Sequence, residues 1–430
     1  MAEGPPASRE RTRTVGRMLA AVMLVATLVA TLTPQPANIV TANFWCIACG
    51  EFGALDFAAN IVMFMPLGLA VALSTSSRLR TVLICVAITV FIEGMQVRII
   101  PGRDASLGDL IANTLGGWIG AEVALLWRTV VWPGASLARW LSVIWAVAFA
   151  LIGGLTSAGL RPAHIPRSLW VQWTPARASY TPFTGRLLRF DVNGIDLAAP
   201  YPPTSLGLDR AISGEPWLAT TTISPQGIEP SKSVIVRVAE ERTVLVSVEQ
   251  RGRDLSCYQK TRASDFRFRS PRAVLPDGLA AGTGDSTRLT CSRADKRLIA
   301  GVIDANGTRT EGVRLSPSLG WILMSPFDLP VERRLWWIGA LWLIALGLPG
   351  GFWLARARSA GTNRSSIVGP VVIAAIGLTL SLLGAPAYAG TAPAALWEWL
   401  ATLGGMATGV LLARVVPYRL NSARRPDHVR

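Results

Sequence analysis

Three pairs of carboxylate and amide side chains recur in a short, mainly apolar part of the chain. Each pair joins an acid to an amide three or four positions later: Asp56 and Asn60, Glu93 and Gln96, and Asp109 and Asn113. On a helix, this spacing places both members of a pair on one face. Because charged groups in a membrane cost free energy, such residues mark either a functional site or a paired structural network.

These residue types can bind and act on a phosphate-containing substrate if the three faces meet. An acid would act as general base, and Arg103, which lies between the second and third pairs, would pair with a phosphate. The catalytic candidates are therefore Glu93, Asp109 and Asp56, and the substrate-binding candidates are Asn60, Gln96, Arg103 and Asn113. The alternative is a buried ion-pair network of Glu93, Arg103 and Asp109 that fixes helix packing.

The elements that carry these residues are predicted to be membrane helices. The 430 residues are 50% hydrophobic and 16% charged, whereas an average soluble domain has roughly 25% charged residues. A spanning helix needs about 20 mostly apolar residues. Eight segments fit: about 18–34, 57–75, 81–100, 109–127, 140–159, 335–354, 366–388 and 394–413. The first segment slightly exceeds a usual signal-peptide core and lacks a clear cleavage site, so it is interpreted as an uncleaved helix.

Arginines at the ends of these segments predict the orientation. The net charge is +15, and aromatic residues do not interleave with the basic ones as nucleic-acid binding would need, so no nucleic-acid partner is expected. With the N-terminus in the cytoplasm, the short outward connections hold only Arg98 and Arg103, and the inward ones hold the remaining arginines near the spans. We therefore expect a multi-pass protein of the bacterial inner membrane, surrounded by lipid, with both termini cytoplasmic and all three polar pairs toward the outer leaflet.

A polar segment, residues 160–334, separates the fifth and sixth spans. Residues 233–239 and 242–249 alternate apolar and polar side chains, which is typical of half-buried strands. We expect an antiparallel β-sandwich outside the membrane, where an oxidising compartment would allow Cys257 and Cys291 to pair; paired and free thiols both remain open. The domains are then 1–17 (basic N-terminus), 18–159 (five helices), 160–334 (sandwich), 335–413 (three helices) and 414–430 (basic tail).

The remaining motifs do not predict a catalytic, metal or cofactor site. Cys46 and Cys49 are interpreted as a stray pair or a local disulfide, since no second Cys or His pair accompanies them. Gly116 and Gly120 form a G-x-x-x-G that favours close helix packing. The two histidines lie far apart in the topology, and no phosphate or dinucleotide loop is present, so no metal and no cofactor are expected.

The membrane segment resembles the VanZ-like family of small bacterial membrane proteins. The matching residues are Asn60 with Pro66-Leu67-Gly68, Glu93 and Gln96, Arg103, Asp109 and Asn113, and the pair Gly116 and Gly120. The ordered set runs from Asn60 to Gly120, and the resemblance covers about residues 50–127. The family is named after a protein associated with low-level resistance to the glycopeptide teicoplanin, and the resemblance implies a similar membrane domain. This chain adds the polar segment and three further helices, so resistance does not transfer automatically.

The polar segment is similar to concanavalin-like lectin or laminin-G-like sandwich domains. The similarity rests on residues 185–201, 216–226 and 234–250, and on the closing stretch 318–327. It implies a sheet that binds glycan. A sandwich that only packs on the membrane helices is the alternative.

Three classes of function remain. A recognition protein would bind envelope glycan, lipid-linked or glycopeptide ligands and contribute to glycopeptide resistance. An enzyme would modify a lipid-linked envelope substrate using Glu93, Asp109 and Arg103. A transporter is the third class, although acids confined to one leaflet weaken it. Neither catalysis nor an oligomeric state is predicted.

The orientation gives a direct test. An alkaline phosphatase fusion after Arg358 is expected to have low activity, because this arginine lies in a connection assigned to the cytoplasm. Phosphatase activity in whole cells, normalised to fusion protein level, measures it. High activity would contradict the assigned orientation.

Overall fold

The structure is a computed structural model that divides the chain into two compact units. One unit contains Met1–Leu137 with Val416–Arg430, and the other contains Ala138–Val415. The residues described are 6–34, 43–100, 105–165, 169–175, 181–197, 208–213, 216–224, 229–240, 243–279, 286–305, 307–327, 335–359 and 367–416. Arg103 therefore lies outside the described residues.

The eight predicted spans are confirmed as helices within the described part of the chain. The helices are α1 Pro6–Leu32, α2 Gly53–Thr75, α3 Arg78–Arg98, α4 Leu107–Val131, α5 Ala135–Gly159, α6 Leu208–Ser213, α7 Arg262–Asp265, α8 Gly320–Leu323, α9 Trp336–Ser359, α10 Val368–Thr379, α11 Ala385–Ala389 and α12 Leu396–Val415. A π-helical turn, Leu380–Gly384, joins α10 to α11, so these two helices form one span. Helices α6, α7 and α8 are short elements of the polar segment.

Glycines let α2 and α4 approach closely in the first unit. A Cβ atom added at Gly116 or Gly120 would overlap a backbone carbonyl oxygen of α2, and one added at Gly68 would overlap the backbone of α4 at Gly117. The helix axes can therefore lie nearer than larger side chains would allow. The predicted G-x-x-x-G is part of this contact.

The polar segment forms two antiparallel sheets around a shared core. The strands are β1 Trp170–Trp173, β2 Arg186–Val192, β3 Ile195–Asp196, β4 Trp217–Ser224, β5 Glu229–Glu240, β6 Thr243–Gly252, β7 Asp254–Gln259, β8 Arg272–Leu275, β9 Thr287–Ala294, β10 Arg297–Asp304 and β11 Gly307–Arg314. One sheet has the order β1-β5-β6-β7-β8, and the other has the order β11-β10-β9-β4-β2-β3. Buried side chains of both sheets form one hydrophobic cluster. The predicted sandwich class is confirmed.

A disulfide links the two sheets. Cys257 on β7 and Cys291 on β9 are bonded, with their Cα atoms 5.2 Å apart, and both are fully buried. Of the two segments that alternate in sequence, residues 233–239 lie in β5 and residues 243–249 lie in β6, and these strands pair with each other; residue 242 lies outside the described residues. The disulfide therefore crosses the core that these strands help to enclose.

In the second unit, a buried carboxylate joins the sandwich to a membrane helix. Glu398, in the first turn of α12, has no exposed surface. Its Oε1 accepts hydrogen bonds from Ser316 Oγ at 2.7 Å and from the Ser318 backbone N–H at 3.1 Å, and its Oε2 accepts one from the Ala395 N–H at 2.6 Å. The three donors offset the cost of burying the carboxyl group.

The glycine contact predicts a large difference between two alanine substitutions. Gly120→Ala is expected to lower the free energy of unfolding by about 1–3 kcal/mol, because its methyl group would overlap the backbone of α2. Gly94→Ala, on an open face of α3 with no atom within 4 Å, is expected to stabilise slightly, by about 0.5–1 kcal/mol. Unfolding of both purified variants in one detergent measures this, and equal stabilities would contradict the close approach.

Candidate functional site

Hydrogen bonds join polar residues of α2, α3 and α4 in the first unit. Asn60 Nδ2 on α2 donates to Asp109 Oδ1 on α4. Ser106 Oγ donates to the other carboxylate oxygen, Asp109 Oδ2, at 2.8 Å, and the Ser106 backbone N–H donates to Glu93 Oε2 on α3 at 3.1 Å. We call Asn60, Glu93, Ser106 and Asp109 the polar cluster.

Ser106 bonds to both acids of the polar cluster, and the sequence patterns used above did not identify it as a site residue. It caps α4 in an extended conformation (φ −138°, ψ 150°), and its Oγ accepts a hydrogen bond from the Asp109 backbone N–H at 3.0 Å. A Ser followed three residues later by an acid, just before an apolar run, is the sequence signature of such a cap. Applying that rule to Ser106-Leu-Gly-Asp109 would have found it.

Glu93 and Gln96 lie close together on one face of α3, but their side chains bond to different helices. Gln96 Nε2 donates to the backbone carbonyl of Thr31 near the end of α1, at 2.9 Å. Both Gln96 and Thr31 are buried. Gln96 therefore ties α3 to α1, and no sequence pattern identifies a backbone carbonyl as its partner.

Asn113 has an unused acceptor near the polar cluster. It lies one helical turn after Asp109 on α4 and is 2% exposed. Within the described residues, its buried Oδ1 has no hydrogen-bond partner. Since nearly all buried polar atoms in proteins are bonded to protein or water, a donor from water or a ligand would complete it.

The remaining two candidates are less well placed by the structure. Asp56 is exposed in the first turn of α2, one helical turn before Asn60. The helix begins before the predicted start at residue 57, because Gly53 to Asp56 already form its first turn. Arg103 lies outside the described residues, so the proposed pairing of this arginine with a phosphate stays a prediction.

The first loop packs against the beginning of α4. Cys46 and Cys49 form a disulfide with their Cα atoms 5.7 Å apart. The Leu107 N–H donates to the Phe44 carbonyl at 2.7 Å, and the Gly108 N–H donates to the Cys46 carbonyl at 3.2 Å. These bonds satisfy free N–H groups at the start of the helix that carries Asp109.

Hydrogen bonds hold the side chains of the polar cluster in fixed positions. Both oxygens of Asp109 accept hydrogen bonds, so this carboxylate holds Asn60 and Ser106 in position. Glu93 uses one oxygen in the same way. Among the described residues, no group of three or more His, Cys, Asp or Glu side chains could hold a metal ion.

The role of Ser106 predicts a loss of stability that exceeds that of an ordinary helix cap. Ser106→Ala is expected to cost about 2 kcal/mol, because it removes a cap and the donor to Asp109 Oδ2. Ser77→Ala, which removes the cap of α3 at the Arg80 N–H, is expected to cost about 1 kcal/mol or less. Thermal unfolding in detergent compares them. A smaller loss for Ser106→Ala would contradict the double role of its hydroxyl as cap of α4 and donor to Asp109 Oδ2.

Comparison with known proteins identifies one part of the chain. The family model VanZ/LLP1 matches residues 7–128, which include the whole polar cluster. No curated protein and no solved structure matches the chain, and the lectin-like resemblance of the sandwich therefore stays a prediction. Residues 7–128 are the VanZ-like part of a multi-pass membrane protein.

Proposed function

We propose that this protein recognises a lipid-linked or glycopeptide ligand of the bacterial cell envelope through the polar cluster and Asn113. The observation that carries the proposal is the unpartnered, buried Oδ1 of Asn113 one turn from the bonded pair of Asn60 and Asp109. A ligand hydroxyl or amide would supply the missing donor. The acceptor atoms are already held in position before a ligand binds. This favours recognition, because binding then costs little conformational entropy.

The proposed location is the inner membrane, with the polar cluster and the sandwich toward the outside and both termini in the cytoplasm. Two disulfides support it, because bonds such as Cys46–Cys49 and Cys257–Cys291 persist in oxidising compartments. Both lie in segments that the distribution of arginines assigns to the outside. An outward site would face envelope material.

Recognition fits the geometry better than catalysis does. A general base needs an oxygen that can reach the proton it abstracts, and both oxygens of Asp109 are already bonded to Asn60 and Ser106. Glu93 holds the N–H of Ser106 with one oxygen. The family association with teicoplanin extends the proposal: a protein that binds a glycopeptide or its envelope ligand would alter sensitivity to the drug.

The proposal predicts that Asn113 contributes to binding. With purified full-length protein in nanodiscs and a labelled lipid-linked cell-wall precursor, we expect binding without chemical conversion. Asn113→Ala is expected to weaken binding about tenfold, the loss of one hydrogen bond to a buried group. Thr114→Ala, the next residue on α4, is the matched control and is expected to bind as the wild type does.

Two outcomes would contradict recognition at this site. Equal binding by the Asn113→Ala and Thr114→Ala variants would show that Asn113 does not contribute to ligand binding. Conversion of the precursor by the wild type, lost in Glu93→Gln but kept in Glu122→Gln, would identify an enzyme; Glu122 is a suitable control because it bonds Arg78 at 2.7 Å, apart from the polar cluster.

A further inference from the structure

A cavity of about 540 Å³ lies in the second unit where the sandwich meets two membrane helices. The outer edge of the β10–β11 sheet forms one wall, and the first turns of α9 and α12 form another. This volume is within the range of roughly 300–1,000 Å³ that small-ligand pockets occupy. The cavity is separate from the polar cluster and has no part in the function proposed above.

Two arginines give one wall of the cavity a positive charge. Arg297 on β10 and Arg314 on β11 are direct partners in the strand register, so their side chains leave the sheet on the same side. Arg314 Nη2 donates to the Pro393 carbonyl at 2.7 Å. The side chain of Arg297 is exposed and, among the described residues, has no hydrogen-bond or ion-pair partner.

The acid near these arginines belongs to the other face of the strand. Glu311 follows the alternation of Val313, which is buried in the sandwich core, whereas Arg314 and Gly312 follow the alternation of the cavity wall. Glu311 contributes to the lining of the cavity, but its carboxylate leaves the strand on the face opposite the two guanidinium groups. A wall with two arginines favours an anion.

Another part of the cavity lining is aromatic and lies at the start of two membrane spans. Trp336 begins the span of α9, Trp397 lies in the first turn of α12, and their rings meet edge to face with centroids 6.0 Å apart. Trp336 is 60% exposed. Tryptophan at the end of a span is typical of the level of the lipid headgroups.

We propose that this cavity binds a phosphate-bearing lipid of the adjacent leaflet. The arginine wall would hold the phosphate, as paired guanidinium groups do, and the tryptophan wall would lie along the glycerol and the start of the acyl chains. A free phosphate ion would use the arginines and leave the aromatic wall uncovered. The position of both walls at the start of two spans is the reason to choose a lipid over a soluble anion.

Native mass spectrometry of the full-length protein in detergent tests the assignment. The probes are dioleoyl-phosphatidylglycerol, dioleoylglycerol, which has the same chains without the phosphate, and glycerol 3-phosphate, which has the phosphate without the chains. We expect phosphatidylglycerol to bind at least about tenfold more tightly than either partial probe, the difference expected for one strong charge-assisted contact.

Variants connect this binding to the cavity. Arg297→Ala is expected to weaken phosphatidylglycerol binding about tenfold, and Arg297→Lys, which keeps the charge, is expected to retain more of it. Arg288→Ala is the matched control, since Arg288 is an exposed arginine on the same face of the sheet that does not line the cavity. Because Arg297 has no described partner, its loss should leave thermal stability unchanged.

Three results would overturn the proposal. If dioleoylglycerol bound as tightly as phosphatidylglycerol, the phosphate would not contribute to binding. If glycerol 3-phosphate bound as tightly as phosphatidylglycerol, the ligand would be a soluble anion. Equal losses in Arg297→Ala and Arg288→Ala would place the lipid elsewhere on the protein.

Discussion

The close approach of α2 and α4 is the constraint on which the VanZ-like part depends. Asn60 can reach Asp109 only while the two backbones remain in contact, and glycines at positions 68, 116 and 120 permit that contact. Ser106 then extends the arrangement to α3 through Glu93. A backbone contact made possible by glycines therefore determines where the polar side chains of three helices meet.

Much of this could be predicted from the sequence because it depends on local pattern. The lengths of the apolar segments predicted the eight spans, and the alternation of apolar and polar residues predicted strands β5 and β6. The spacing of Asp109 and Asn113 placed them one helical turn apart. Ser106 also has a local signature, and we missed it by starting α4 at residue 109, whereas the helix begins at Leu107.

The partners of these residues could not be predicted, because helical spacing defines a face but not what packs against it. Glu93 and Gln96 are three residues apart, which turns their side chains about 60° from each other around the axis of α3. That rotation is enough for Glu93 to meet Ser106 while Gln96 meets the carbonyl of Thr31. The cavity in the second unit had no local signal either, since Arg297 and Trp397 are 100 positions apart in the chain.

The buried Glu398 has a consequence for the order in which the molecule is assembled. Its partner Ser316 precedes it by 82 residues, and Glu398 lies on α12, the last of the eight spans in chain order. At about 5–20 residues per second of synthesis, Ser316 is made about 4–16 seconds before the carboxylate that it bonds. The sandwich can form its sheets and disulfide during that interval, but its junction with the membrane helices cannot close until α12 has been synthesised. The last span thus completes a domain whose sequence ended long before it.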